Sequence, residues 1–169
     1  MITRQVMKIL PVFILFSFFL SGCANFIKPE IGAIAREDAR IDLTADDMQE
    51  GVFSTSDLVL AYSISESGDM LNISGELSFA QSITYSFGII ERFILKMNFL
   101  DEEGRVIETV DITPLINSFG GVPDKTRLRH SSVKPDGASS IAFNYYGVFK
   151  GDAPEMGGDT WEIFYFPFE

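Results

Sequence analysis

The feature that most constrains the fold of this chain is a period-two alternation of apolar and polar residues that begins near residue 57. From Leu58 to Phe79 every second position is mostly apolar, except across Glu66-Ser67-Gly68-Asp69. Two half-buried strands joined by a tight turn explain this pattern. Further strands are predicted at 83–87, 93–99, 105–112, 126–133, 140–149 and 160–168.

Turn signals separate these strands. Asp101-Glu102-Glu103-Gly104 and Lys134-Pro135-Asp136-Gly137 supply residues that favour tight turns, and 114–124 is predicted to be a long loop. About seven or eight short strands without a long amphipathic helix predict an all-β domain, an antiparallel β-sandwich of immunoglobulin-like size. A small closed β-barrel would give a similar pattern and is the alternative.

The N-terminus has a different character. Arg4 and Lys8 precede an apolar run, Ile9–Leu20, and small residues follow it. A spanning helix needs about 20 apolar residues, and this run is shorter. We therefore predict an export signal in residues 1–22, removed from the mature protein.

Leu20-Ser21-Gly22-Cys23 resembles the lipobox of bacterial lipoproteins at all four positions. The resemblance implies that Cys23 receives a diacylglyceryl group, that cleavage occurs just before it, and that the new amino group is acylated, for example by palmitate. It implies a lipid anchor in the cell envelope. In a Gram-negative source Ala24 favours the outer membrane, facing the periplasm; in a Gram-positive source the protein would be held on the outer face of the cell membrane.

Residues 23–56 are predicted to be the lipidated N-terminus and a polar tether, and residues 57–169 the folded domain. A flexible tether of this length would span about 30 Å. A short helix docked on the domain, starting near Thr44, is the alternative for part of it.

Charge and cysteine content narrow the functions. The net charge is −11, and the leader contributes Arg4 and Lys8 but no acidic residue, so the exported part is more acidic still. Acidic proteins repel nucleic acid, which we exclude as a partner. Cys23 is the only cysteine, so its lipidation would leave no thiol for a disulfide or a metal site.

A second resemblance concerns the domain. The run Met97-Asn98-Phe99-Leu100-Asp101 is followed by Gly104, Val106 and Ile107, and Pro135-Asp136-Gly137 precedes a later strand. This pattern resembles the FxLYD-type Ig-like modules of bacterial envelope proteins. It implies a role in interactions outside the cytoplasm.

No catalytic constellation is apparent in the sequence. His130 is the only histidine, and we expect it at an exposed alternate strand position. The loop carboxylates are Asp101, Glu102, Glu103, Asp152, Glu155 and Asp159. We expect them to be solvated, and we predict no catalytic residue, no metal ligand and no cofactor.

The last strand is apolar on both faces. Trp161, Ile163 and Tyr165 share one face, and Phe164, Phe166 and Phe168 share the other. Such a strand is either covered on both sides or offers one face to a partner. Core packing is the plainer explanation; the candidate partner surface is Tyr146 with Phe164, Phe166 and Phe168.

Three functions remain open. The preferred hypothesis is a lipid-anchored, non-catalytic sandwich that binds an envelope protein as a scaffold or accessory module. The alternatives are an envelope carbohydrate hydrolase that uses loop carboxylates, and a carrier of a small apolar ligand.

Overall fold

The computed structural model describes residues 27–44, 48–116, 121–151 and 159–169. The predicted export signal, with Leu20, Ser21, Gly22 and Cys23, lies outside these residues. The predicted loop carboxylates Asp152 and Glu155 also lie outside them.

The described residues form nine strands, one 3-10 turn at Glu37–Ala39 and one short helix, α1, at Gln81–Ser86. The strands are β1 (Ile41–Asp42), β2 (Gln49–Ser54), β3 (Leu58–Ser67), β4 (Met70–Phe79), β5 (Ile89–Leu100), β6 (Val106–Asp111), β7 (Thr126–Val133), β8 (Ser140–Lys150) and β9 (Thr160–Tyr165). No helix among these residues has the length and apolar character needed to cross a membrane.

The strands build two antiparallel sheets. One sheet has four strands in the order β2-β3-β4-β7; the other has the order β1-β8-β5-β6, with β9 also paired to β8. The predicted antiparallel β-sandwich is confirmed. In the described part of the chain the pairing gives two separate sheets, so the closed-barrel alternative is wrong.

The predicted hairpin is confirmed as β3 and β4, which pair from Leu58↔Phe79 to Ser67↔Met70. Gly68 takes φ +60° in its turn, a conformation that glycine adopts without strain. Gly75 lies in unbroken register against Tyr62. A Cβ there would collide with the carbonyl oxygen of Ala61, so this glycine permits close backbone packing.

The predicted strand through Ile83, Tyr85 and Phe87 is wrong, because residues 81–86 are helical. Ile83 and Phe87 are four residues apart, a spacing that fits one face of a helix as well as alternate strand positions. Ile83 is buried and Phe87 packs against the core, whereas Tyr85 is 80% exposed. Tertiary packing of these two apolar residues selects the helix.

The domain begins well before residue 57. Strand β2 pairs along its whole length with β3, and residues 32–36 make backbone hydrogen bonds to residues 104–106 and 167–169. The predicted tether is therefore wrong for 27–44 and 48–56, which belong to the sandwich. Backbone hydrogen bonds hold much of this segment on the sandwich, and they do not depend on an alternation of apolar residues in the sequence.

The main core lies between the sheets and is rich in aromatic residues. The Phe79 ring meets those of Phe93 and Phe149 at centroid distances of 5.0 and 5.2 Å. Phe53 and Tyr62 each contact Phe143. The long central strands β5 and β8 carry much of this core, so their opposite faces form the outside of the five-stranded sheet.

Candidate functional site

The outer face of the five-stranded sheet has an apolar row where β5, β8 and β9 run side by side. Tyr146 is paired with Ile94 on one side and with Phe164 on the other. Tyr145, one residue earlier, is fully buried in the core. Because successive strand residues point to opposite faces, Tyr146 and Phe164 lie on the outer face.

We call Tyr146, Phe164, Phe166 and Phe168 the aromatic stripe. The Phe164 and Phe166 rings stack with centroids 5.9 Å apart, and the Phe166 and Phe168 rings meet edge to face at 5.2 Å. Phe164 is 44% exposed, while the other three are partly buried. The structure thus brings the four predicted residues together; that they bind a partner remains a prediction.

Burial raises the pKa of the Tyr146 phenol, and the adjacent Glu162 carboxylate raises it further by its charge and a hydrogen bond. Arg92 acts in the opposite direction. The phenol therefore stays neutral through the physiological range. The stripe is therefore an aromatic surface with one neutral polar group, the Tyr146 hydroxyl.

The other end of this outer face is covered by the N-terminal segment. Leu100, Val106 and Ala142 form a small second core with Ala35, and Ala33 and Phe168 pack against it. Val106 therefore faces away from the main core, unlike Val110 and Ile112 further along the same segment. A register shift between Phe99 and Leu100 in the β5–β6 pairing accompanies the position of Val106 in the second core.

A buried polar network lies between this cover and the stripe. Asn98 Nδ2 donates to Asn144 Oδ1 at 2.8 Å, and Asn98 Oδ1 accepts from Thr109 Oγ1 at 2.8 Å. Asn144 Nδ2 donates to the carbonyl oxygen of Ile27 at 2.7 Å. Both asparagines are fully buried. The network fixes the first described residue of the chain onto the sheet surface.

A groove of about 230 Å³ runs between the N-terminal segment and the stripe. It is lined by Lys28, Pro29, Glu30, Ala33, Phe166, Phe168 and Glu169. The groove therefore continues the aromatic surface toward the point where the described chain starts.

A second concavity, of about 510 Å³, opens at the edge of the sandwich between β2 and β9. The Arg36 guanidinium lies 5.8 Å from the Tyr165 ring centroid, and Phe53 meets the same ring at 5.4 Å. Sequence reasoning missed this cleft because Arg36 and Phe53 fall in the predicted tether, which has no strand-like apolar period to signal its position.

Beneath this cleft the buried Tyr145 hydroxyl lies 2.6 Å from Thr55 Oγ1 and donates to Asp57 Oδ2 at 2.9 Å. Burial raises the pKa of the Tyr145 phenol, and the Asp57 carboxylate raises it further, whereas the contact with Thr55 lowers it. Tyr145 therefore joins the two sheets as a neutral hydrogen-bonding group.

The residues considered for catalysis are dispersed. His130 is half-buried and pairs with the buried Ile73 on the inner face, so its predicted exposed position is wrong. Asp101 Oδ1 accepts hydrogen bonds from the backbone N–H groups of Glu103 and Arg105, which makes it part of its own turn. Among the described residues no group of three or more His, Cys, Asp or Glu side chains could hold a metal ion.

Comparisons of the chain with protein-family models, curated proteins and solved structures gave no match. The resemblances to the lipobox and to FxLYD-type modules therefore remain expectations from the sequence.

Proposed function

We propose that this protein is a lipid-anchored component of a bacterial cell envelope and acts by binding, as a scaffold or accessory module. The aromatic stripe is the proposed binding surface. The observation that carries the proposal is that four aromatic residues lie together on the outside of a sandwich whose core is already filled. Three of them lie within residues 164–168, and Tyr146 comes from the neighbouring strand β8. Exposed clusters of this kind commonly mark interaction sites.

The anchor part of the proposal rests on Leu20-Ser21-Gly22-Cys23. With Cys23 acylated, the protein would stay on the periplasmic side of an outer membrane, or on the outer face of a single membrane. Two or more acyl chains give a stable attachment, whereas one gives marginal binding.

The two alternatives have less support. A carbohydrate hydrolase would need two carboxyl groups facing each other across a cleft, whereas Asp101 is engaged in its own turn. A carrier would need room inside the sandwich, whereas the interior rings of Phe79, Phe93 and Phe149 contact one another.

The binding proposal is tested by photocrosslinking in cells. A photoreactive amino acid replaces Phe164 in one strain and Tyr85 in a control strain. Tyr85 is also aromatic and is 80% exposed, but it lies on α1 and does not belong to the stripe. We expect crosslinked adducts, to protein or to lipid, from position 164 and few from position 85. Equal adduct yields at the two positions would contradict the proposal.

The anchor is tested by metabolic labelling with an alkyne fatty acid in wild type and in Cys23→Ser. Because Cys23 is the only cysteine, no other thiol can carry the label. We expect Cys23→Ser to lose the label and to retain its leader. Equal labelling of the two proteins would refute lipidation at this site.

A further inference from the structure

We infer that the occupant of the aromatic stripe is the bilayer itself, so that the outer face of the five-stranded sheet lies against the membrane. This inference rests on the proposed lipid anchor and deepens it. It turns the stripe from a general binding surface into a membrane-contacting one.

The chain between the proposed anchor and the sandwich is short. Ile27 is held on the outer face of the sheet by its hydrogen bond from Asn144, and Cys23 precedes it by four residues. Four residues span at most about 14 Å. An acylated Cys23 would therefore draw this face of the sandwich to the membrane, in place of the stand-off of about 30 Å expected from a flexible tether.

Ile27 lies next to the aromatic stripe on the outer face of the sheet. Asn144, which binds Ile27, lies two residues before Tyr146 on β8, so both side chains point to the outer face of the sheet. The groove lined by Phe166 and Phe168 also includes Lys28. The stripe and the start of the anchored segment are thus adjacent on one face.

The side chains of the stripe are of the types that suit a membrane surface. Phenylalanine rings provide apolar area, and tyrosine combines an apolar ring with a polar tip that suits the headgroup region. Phe164 is the most exposed member of the stripe. Amphipathic helices that lie on membranes bury their apolar faces about 5–10 Å into the boundary between headgroups and acyl chains, and an exposed row of rings can make the same kind of contact.

The outer face of the four-stranded sheet differs from the face that carries the stripe. The outer positions of β3 and β4 include the polar residues Ser63, Ser65, Asn72 and Ser74. The exposed apolar side chains on these strands, Val59 and Met70, are not aromatic. With the stripe on the membrane, this surface and the edge of β2 point away from it, where an envelope protein could approach.

The charge of the protein does not favour binding to anionic lipids. The protein has a net charge of −11, and the charged groups that act on Tyr146 in the stripe are two acidic residues, Glu162 and Glu91, and one basic residue, Arg92. Attraction to anionic lipids is therefore not the driving force. Contact through rings alone should occur on zwitterionic phosphatidylcholine and persist at high salt.

The experiment uses the full mature, acylated protein reconstituted in phosphatidylcholine vesicles that contain lipids brominated in the acyl chains. Trp161 is the only tryptophan, so Trp161→Phe provides a background without one. In that background Phe164→Trp reports on the stripe, and Val52→Trp is the matched control. Val52 is a strand residue that is 66% exposed on the outer side of the four-stranded sheet.

We expect brominated lipid to remove roughly half of the emission of Phe164→Trp, since an interfacial ring lies within reach of the upper acyl chain. Val52→Trp should keep nearly all of its emission. Phe166→Trp is a second probe of the stripe if Phe164→Trp fails to fold. The quenching should be unchanged at high salt.

Equal quenching at the two positions, or no quenching at either, would overturn the inference. If the same sample still carries the acyl label, the lipid anchor is upheld. A stripe that binds protein would give no lipid quenching and would instead give protein adducts in the crosslinking experiment. Loss of the acyl label itself would overturn both the anchor and the inference.

Discussion

The two outer faces of the sandwich lie on either side of one core but differ in how exposed their outward side chains are. On the four-stranded sheet, outward residues such as Val59 and Ser63 stay at least partly exposed. On the five-stranded sheet, outward residues Leu100, Asn98 and Asn144 are fully buried. The difference arises because residues 27–36 lie over one end of the five-stranded sheet.

The N-terminal segment that covers this face is part of the fold. It is held both by apolar contact, through Ala35, and by backbone pairing with β6 and the C-terminal residues. Removing water from the outer face is worth about 25 cal/mol per Å² of apolar surface. The cover therefore contributes stability and also sets where the chain leaves the sandwich.

The largest expected effect comes from the small second core. Leu100→Ala should cost about 2–5 kcal/mol in free energy of unfolding, because it leaves a cavity beneath the N-terminal segment. Val59→Ala, on the opposite outer face and 40% exposed, should cost less than about 1 kcal/mol. Urea unfolding of both variants measures the difference; equal losses would remove the distinction between the faces.

The buried polar network should give the next largest effect. Asn98→Ala removes partners from Asn144 and Thr109, and leaving buried polar groups unpaired costs about 1–3 kcal/mol. Asn72 makes a comparable side-chain bond to Ser131, but at the surface of the four-stranded sheet. Asn72→Ala should therefore change stability by only about 0.5 kcal/mol. A cost for Asn98→Ala no larger than this would show that the network is dispensable.

Two glycines provide a finer comparison. Gly104 and Gly68 both have positive φ, but a Cβ at Gly104 would meet the Arg40 guanidinium, whereas a Cβ at Gly68 meets nothing. Alanine at either site costs about 1–2 kcal/mol for its backbone conformation. Gly104→Ala should lose about 1 kcal/mol more, since Arg40 also donates to the carbonyl of Ala35. Thermal unfolding of the two variants tests this, and equal shifts would exclude a role for Arg40.

The smallest effect concerns matched ion pairs on the two faces. Lys96 binds Asp111 at 2.8 Å with a side chain that is only 19% exposed, whereas Lys125, which pairs with Glu76, is 67% exposed. Such pairs contribute up to about 1 kcal/mol. Asp111→Asn should approach that limit, and Glu76→Gln should fall near zero.

The same pair makes a prediction about pH. Burial acts to raise the pKa of the Asp111 carboxyl, but hydrogen bonds from Lys96 and Thr113 outweigh it and lower the pKa below 3.8. A lowered pKa adds stability above the unfolded value and loses it as the pH falls through the folded value. The stability gap between wild type and Asp111→Asn should therefore shrink from about pH 5 downward. A gap that stays constant or widens in acid would contradict this assignment.

The parts of the fold that sequence predicted correctly are those with a local, repeated signal. Strands β3 and β4 are consecutive and alternate regularly, so their pairing required only a turn at Gly68. The helix at residues 81–86 was missed because Ile83 and Phe87 fit both periods. The aromatic stripe was found because three of its residues alternate within one short stretch.

The missed parts are non-local. Residues 32–36 pair with segments that are 70 to more than 130 positions away in the chain, such as Arg105 and Phe168. Any residue with a free N–H and C=O can form such pairs, so side-chain pattern carries little signal for them. The edge cleft that contains Arg36 and Phe53 was missed for the same reason.

The amino-acid sequence by itself determined the two-sided character of the strands, including the alternation that puts Phe164, Phe166 and Phe168 on one face. Only the tertiary structure decided which outer face is covered, and that residues 27–36 are the cover. The physical reason is that periodicity specifies which side chains share a face, whereas the choice of a distant segment to bury that face depends on packing and backbone hydrogen bonds formed after the sheets assemble.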